Sequence, residues 1–121
     1  MIVDFWETTA SKARLPEPEN SYFAPEGVMP VSPGNKRAYH RFYLRGKALL
    51  KRQGSFIGIY TKDVSRRGIG FLSPVQLLPK EHVHLHLPGA NELMVEVTRC
   101  RRVDESCFDS GAKFILKVIR E

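Results

Sequence analysis

Two arginines four residues apart, Arg37 and Arg41, and a polar segment that starts 22 residues after the second, Asp63-Val64-Ser65-Arg66-Arg67-Gly68, carry the residue types best suited to hold an anion. A guanidinium is planar and permanently charged, so it pairs bidentately with phosphate or with the O6/N7 edge of guanine, and its face stacks on a base. An aspartate such as Asp63 accepts from N–H donors, a serine such as Ser65 bonds a phosphate or caps a turn, and Gly68 permits either a positive φ or close approach of a ligand to the backbone. Lys36, Arg66 and Arg67 lie beside these residues and add cationic charge. The same residue types also suit an Asx-type turn between strands and a solvated basic loop. Catalysis is not expected: there is no nucleophile elbow, no phosphate-binding P-loop, no cysteine in a Cys-His-Asn context and no carboxylate pair placed for acid–base work.

The surrounding charge fits an anion site. Residues 1–35 hold two basic and five acidic side chains, net −3, whereas residues 36–67 hold ten basic ones against Asp63 alone, net +9, and the remainder balances at seven each. The whole formal charge of +6 therefore sits in about a quarter of the 121 residues, as expected of a surface that meets phosphate or another polyanion. A chain of this length with 42% apolar and 26% charged residues closes one core and needs no metal or disulfide to do so. Its longest uncharged run, Gly68 to Pro79, spans 12 residues and ends in proline, too short to cross a membrane. Acids close to the N-terminus argue against a signal peptide, so a cytoplasmic protein with free thiols at Cys100 and Cys107 is expected.

The elements that must position these residues change character near residue 35. Five prolines between Leu15 and Gly34 predict an extended tail, preceded by at most a short docking helix bearing Phe5 and Trp6. From Arg41 onward, short apolar runs alternate with turn residues. They predict strands at Phe42 to Leu50, Phe56 to Thr61, Ile69 to Leu72, Val83 to Leu87, Leu93 to Val103 and Lys113 to Ile119. Asp63 to Gly68 falls in a connection, as does the stretch around Asp109-Ser110-Gly111. Six strands with hairpin-length links indicate an all-β barrel or sandwich. His82, His84 and His86 alternate with Val83, Leu85 and Leu87, which puts three imidazoles on an outward strand face; no metal is expected there.

Arg37-Ala38-Tyr39-His40-Arg41 and Asp63 to Gly68 together match, in order and spacing, the RxxxR and (D/N)xSxxG signature of PilZ domains, and the chain resembles that family from about residue 36 to residue 119. Gly111-Ala112-Lys113-Phe114 is similar to the glycine and aromatic of the family's closing strand. The resemblance implies a six-stranded antiparallel β-barrel over residues 36–121, behind an N-terminal tail of residues 1–35. It implies a bacterial receptor for cyclic di-GMP, with the arginine loop folded over the ligand against the strand surface that bears the DxSxxG turn. Binding roles pass to Arg37, Arg41, Asp63, Ser65 and Gly68, with Lys36, Arg66 and Arg67 as further phosphate contacts. No cofactor other than this ligand is implied, and output runs through a downstream protein partner.

One departure is that the chain ends at Glu121, just after the last strand, so the C-terminal helix of many PilZ domains is expected to be short or absent. The segment bearing Phe5 and Trp6 is then expected to cover the open barrel end. Ligand binding at the arginine loop is expected to reposition the tail joined to it. Two other readings stand beside this one. A basic barrel could bind RNA or single-stranded DNA through Tyr39, Phe42, Tyr43 and Tyr60, although nucleic acid is not the expected partner. A PilZ-like adaptor could instead bind protein and ignore nucleotide.

Overall fold

The computed structural model describes residues 2–30, 39–89 and 91–119. Six strands, β1 (Phe42–Arg52), β2 (Ser55–Val64), β3 (Gly68–Ser73), β4 (His82–Leu87), β5 (Asn91–Asp104) and β6 (Cys107–Ile119), form a closed antiparallel barrel in the order β1-β2-β3-β6-β5-β4. Closure comes from β4 pairing back onto β1, with Leu50 opposite Leu85. Strand alternation fills the interior. Ala48 and Leu50, Ile57 and Ile59, Ile69 and Phe71, Val83 and Leu85, and Leu93, Val95 and Val97 all meet in one core.

Of two expected connections, the one at 63–68 is narrowed to Ser65, Arg66 and Arg67, and the one around Asp109 is strand. β2 runs on through Asp63 and Val64, and β6 begins at Cys107, so Asp109, Ser110 and Gly111 lie within the sheet. The reason is the tightness of the hairpins. Asp104 pairs with Cys107 across a two-residue turn in which Ser106 takes a positive φ of 51°. Gln53 and Gly54, with φ of 51° and 82°, turn β1 into β2 in the same way.

The proline-rich tail is not extended over its described residues. Helices α1 (Ile2–Thr8) and α2 (Glu19–Phe23) and the chain between them pack on the outer wall of β1, β2 and β3. Pro18 stands just before α2, and its carbonyl accepts from the N–H groups of Ser21 and Tyr22, so one helical turn fits between Pro18 and Pro25. The second cluster joins Trp6, Ala13 and Tyr22 to the outward residues Leu49, Tyr60, Leu72 and Cys107. Trp6 Nε1 donates to the Ile59 carbonyl at 3.0 Å, and the Tyr22 hydroxyl donates to the Thr61 carbonyl at 2.6 Å. Gly58 makes this approach possible, because a Cβ there would lie 3.0 Å from Trp6 Nε1. Ser11 and Ala13 bond the N–H and carbonyl of the same glycine, and Arg14 N–H reaches the Ser106 carbonyl. Trp6 thus covers a barrel wall and not, as expected, a barrel opening.

Because Trp6 is only 4% exposed and its indole both packs and donates, Trp6→Ala is expected to lower stability by about 3 kcal/mol. Urea unfolding measures this; an unchanged midpoint would show that the segment does not stabilise the barrel.

Candidate functional site

The strand register decides where the polar residues point. Along β2, Thr61 pairs with Phe71 and Asp63 with Gly70, so Lys62 is an extra residue and the pairing slips by one. Phe71 and Ile69 face the core, hence Gly70 and Asp63 face outward while Val64, opposite Ile69, faces inward. A matching slip between Tyr43 and Gly46 on β1 puts Tyr43 opposite Asp63. Arg41, two residues before Tyr43, shares the outer face and places its Nη1 2.5 Å from Asp63 Oδ1. Asp63 is 4% exposed, and its carboxylate lies flat over Gly70, where a Cβ would come within 3.1 Å of Oδ1.

Past Val64 the chain turns on Ser65. Its Oγ accepts from the N–H groups of Arg67 and Gly68 at 3.2 and 3.3 Å, and its own N–H donates to the Gly68 carbonyl at 2.9 Å. Of the two roles open to Ser65 in the sequence, the structure displays turn capping. Gly68 is required for a reason other than the two anticipated. It has no positive φ, and what approaches its backbone is β6: a Cβ would lie only 2.2 Å from the Ala112 carbonyl oxygen. Arg66 and Arg67 gather around Tyr39, with guanidinium carbons 5.2 and 5.6 Å from the ring centroid and Arg67 Nη1 3.4 Å from the Tyr39 hydroxyl. The two motifs therefore meet twice, at Arg41 with Asp63 and at Tyr39 with Arg66 and Arg67. Lys36 and Arg37 lie outside the described residues.

Three participants, Gly70, Gly111 and Arg99, were not singled out as site residues in the sequence. Asp63, Gly70, Gly111 and Arg99 oppose one another directly across β2, β3, β6 and β5. Gly111 leaves room for Arg99, whose Nε would stand 3.0 Å from a Cβ there, and Arg99 Nη1 lies 3.5 Å from Asp109 Oδ1. Lys62 Nζ also reaches Asp109 at 2.7 Å. The two glycines thus let a carboxylate and a guanidinium lie flat on the same outer wall. A glycine at every second position, Gly68 and Gly70, was the available signal, legible only once both were known to lie in a strand.

The histidines face outward, as their alternation predicts. His82 Nε2 lies 3.1 Å from Glu96 Oε1, and His86 packs edge-on against Phe56 at 5.3 Å. His82 and then Lys113 hold the Glu96 carboxyl below its ordinary value. Among the described residues, no group of three His, Cys, Asp or Glu side chains is arranged to hold a metal ion. Both cysteines are free; burial, with smaller contributions from Asp104 and Asp109, pushes the Cys107 thiol up to about 11.

A closed six-stranded barrel, entered by an arginine segment that meets an Asp-x-Ser-x-x-Gly turn on its outer wall, defines a small β-barrel module. The family model of the PilZ domain matches residues 35–119, and the chain belongs to the PilZ family. PilZ domains are receptor modules for cyclic di-GMP and are generally not enzymes. No curated protein matches the chain. No helix among the described residues is long and apolar enough to cross a membrane.

Two outcomes follow from this geometry. Gly68→Ala should cost about 1–3 kcal/mol, because the methyl meets backbone that cannot rotate away; a urea midpoint equal to wild type would contradict the close β3–β6 approach. At about pH 8 a disulfide reagent should label Cys100 and spare Cys107 until denaturant is added, since Cys107 is both fully buried and held protonated. Equal labelling rates in the folded protein would refute this.

Proposed function

We propose that this protein is a cytoplasmic cyclic di-GMP receptor that binds its ligand where the RxxxR segment meets the DxSxxG turn. The observation that carries the reading is the Arg41–Asp63 ion pair, which joins the two motifs on one outer wall. Arg37 and Arg41 take the phosphates or the guanine O6/N7 edge, and Asp63 accepts from the guanine N1 and N2 donors. Ser65 and Gly68 shape the turn beneath the ligand, while Lys36, Arg66 and Arg67 supply further phosphate charge. With its side chain 27% exposed, Arg41 stays accessible to a phosphate while its partner is held in place on Gly70.

The nucleic-acid alternative loses part of its support. Tyr60 is buried among Trp6, Tyr22 and Phe23, and the Tyr43 ring is covered by the Arg45 guanidinium at 5.2 Å.

The structure also narrows how binding would be felt. Tyr43 N–H donates to the Gly27 carbonyl and Met29 N–H to the Arg41 carbonyl, both at 2.8 Å, so the N-terminal strap is pinned at the second arginine. In this reading the ligand acts locally at Arg41 and does not shift the whole strap, whose Trp6 and Tyr22 are buried further back. Micromolar affinity corresponds to about 8 kcal/mol, ample to shift a local equilibrium. In this reading residues 1–35 form the strap, residues 36–121 the receptor barrel, and output passes to a protein partner.

Isothermal titration of cyclic di-GMP at physiological salt, with GTP as competitor, should give saturable binding at micromolar affinity or tighter. Arg37→Ala and Arg41→Lys should each weaken it about tenfold or more. The lysine keeps the charge beside Asp63 but not the planar fork. Absence of binding by the wild-type chain would reject the reading. Hydrogen exchange should show slower exchange over residues 30–41 with ligand, and equal exchange would reject the loop response.

A further inference from the structure

Among the described residues, one end of the barrel is apolar and uncovered beside the proposed ligand turn. Phe42 and Leu44, near the start of β1, are 46% and 38% exposed. Val64, Leu87, Leu93 and Phe114 line a depression of about 500 Å³ at this mouth, and Ser65 and Arg66 form part of its rim. A second depression of about 310 Å³ opens where β1 and β4 part beyond the Leu49–His86 pair; it includes Leu44 and shares Leu87 and Asn91 with the first.

The rim is cationic. Arg66 borders the first depression, and Arg45 and Lys47 border the second. No carboxylate among the described residues lines either one. The Arg45 guanidinium is hydrogen-bonded to the carbonyls of Tyr22 and Lys62 and stacked 4.3 Å from the Tyr22 ring, and among the described residues no ion pair to an acid accompanies these contacts. Lys47 shares its charge with Glu7, a half-exposed side chain of α1. Apolar wells bordered by Arg45, Lys47 and Arg66, with no carboxylate in their lining among the described residues, fit one kind of occupant: apolar anchors flanked by carboxylates.

We propose that this mouth is a docking surface for an acidic amphipathic segment of a partner protein. Apolar side chains at helical spacing enter the two wells while flanking Glu or Asp residues face Arg45, Lys47 and Arg66. Nucleic acid would satisfy the rim but leave the wells empty, and a neutral apolar segment would leave the rim uncompensated. The surface is also wired to the ligand turn. Asp63 points to the outer wall and the next residue, Val64, into the mouth, while Arg66 borders the mouth and stacks on Tyr39 of the arginine segment. Docking stands on the mouth alone; only its coupling to nucleotide rests on the function proposed above.

The test uses the full chain and a synthetic peptide of about 15 residues, long enough to form a helix, with Leu at i, i+3, i+4 and i+7 and Glu elsewhere on that face. Fluorescence anisotropy should show saturable binding that weakens with salt. Leu44→Glu and Arg66→Glu, each with unchanged circular dichroism, should weaken it about tenfold, as loss of one anchor does. Leu44 is exposed and Arg66 lies in a turn, so at least one variant should fold. No binding, equal binding of a Lys-substituted peptide, equal affinity in both variants, or displacement by an RNA oligonucleotide of the same charge would each overturn the proposal. Peptide affinity is then measured with saturating cyclic di-GMP. A shift supports the coupling, and reciprocity requires the peptide to shift nucleotide affinity by the same factor. If titration shows that nucleotide binds and the affinity does not shift, the coupling fails. If nucleotide does not bind, it is the receptor reading that fails, and docking is decided by the peptide alone.

Discussion

The one-residue slip in β2 at Lys62 is the constraint on which the rest of this site depends. Side chains of a strand alternate, so without the extra residue Asp63 would enter the core and Val64 would face solvent. A lone carboxylate in the barrel interior would be costly, and the apolar mouth would lose a wall. With the slip, Asp63 rests on Gly70 within reach of Arg41, and Val64 turns inward opposite Ile69. The matching slip on β1 keeps Arg41 on the same wall as its partner. Both slips sit beside the site, where bulges commonly re-aim side chains.

The outer wall is organised by small residues as much as by charged ones. Gly58 admits the Trp6 indole, Gly68 admits the backbone of β6, and Gly70 and Gly111 let Asp63 and Arg99 lie flat. Each glycine answers a close approach, and none of the four needs a positive φ. The wall is thereby divided. One part is buried under the N-terminal strap, with Trp6, Tyr22 and Tyr60 packed edge to face, and the other presents ionic groups. The division explains why β3 is buried along its whole length although only alternate residues face the core.

The strap also ties the charged segments together. Glu7 pairs with Lys47, and Arg45 is stacked on Tyr22, so acidic and aromatic residues of the N-terminal third hold part of the cationic middle of the chain. Some of the positive charge counted over residues 36–67 is therefore structural. Positive charge also gathers around Tyr39, Arg41, Arg66 and Arg67, where the two motifs converge.

Residue types and spacing were enough to establish six strands, an outward histidine face and two motifs that belong together, because alternation and turn chemistry are local properties of the chain. They were not enough to show that Asp63 lies in a strand, that Gly68 answers a neighbouring backbone, that a helical turn fits between Pro18 and Pro25, or that Trp6 lies against a wall. Each of those depends on register and on which surfaces meet across 50 or so residues, as Trp6 and Ile59 do. A bulge is invisible to alternation until the partner strand is in place, and a glycine's need for space is invisible until its neighbour arrives. The sequence by itself determined the class of fold and the kind of chemistry; only the closed barrel decided which face each residue occupies, because pairing across strands, not order along the chain, sets direction.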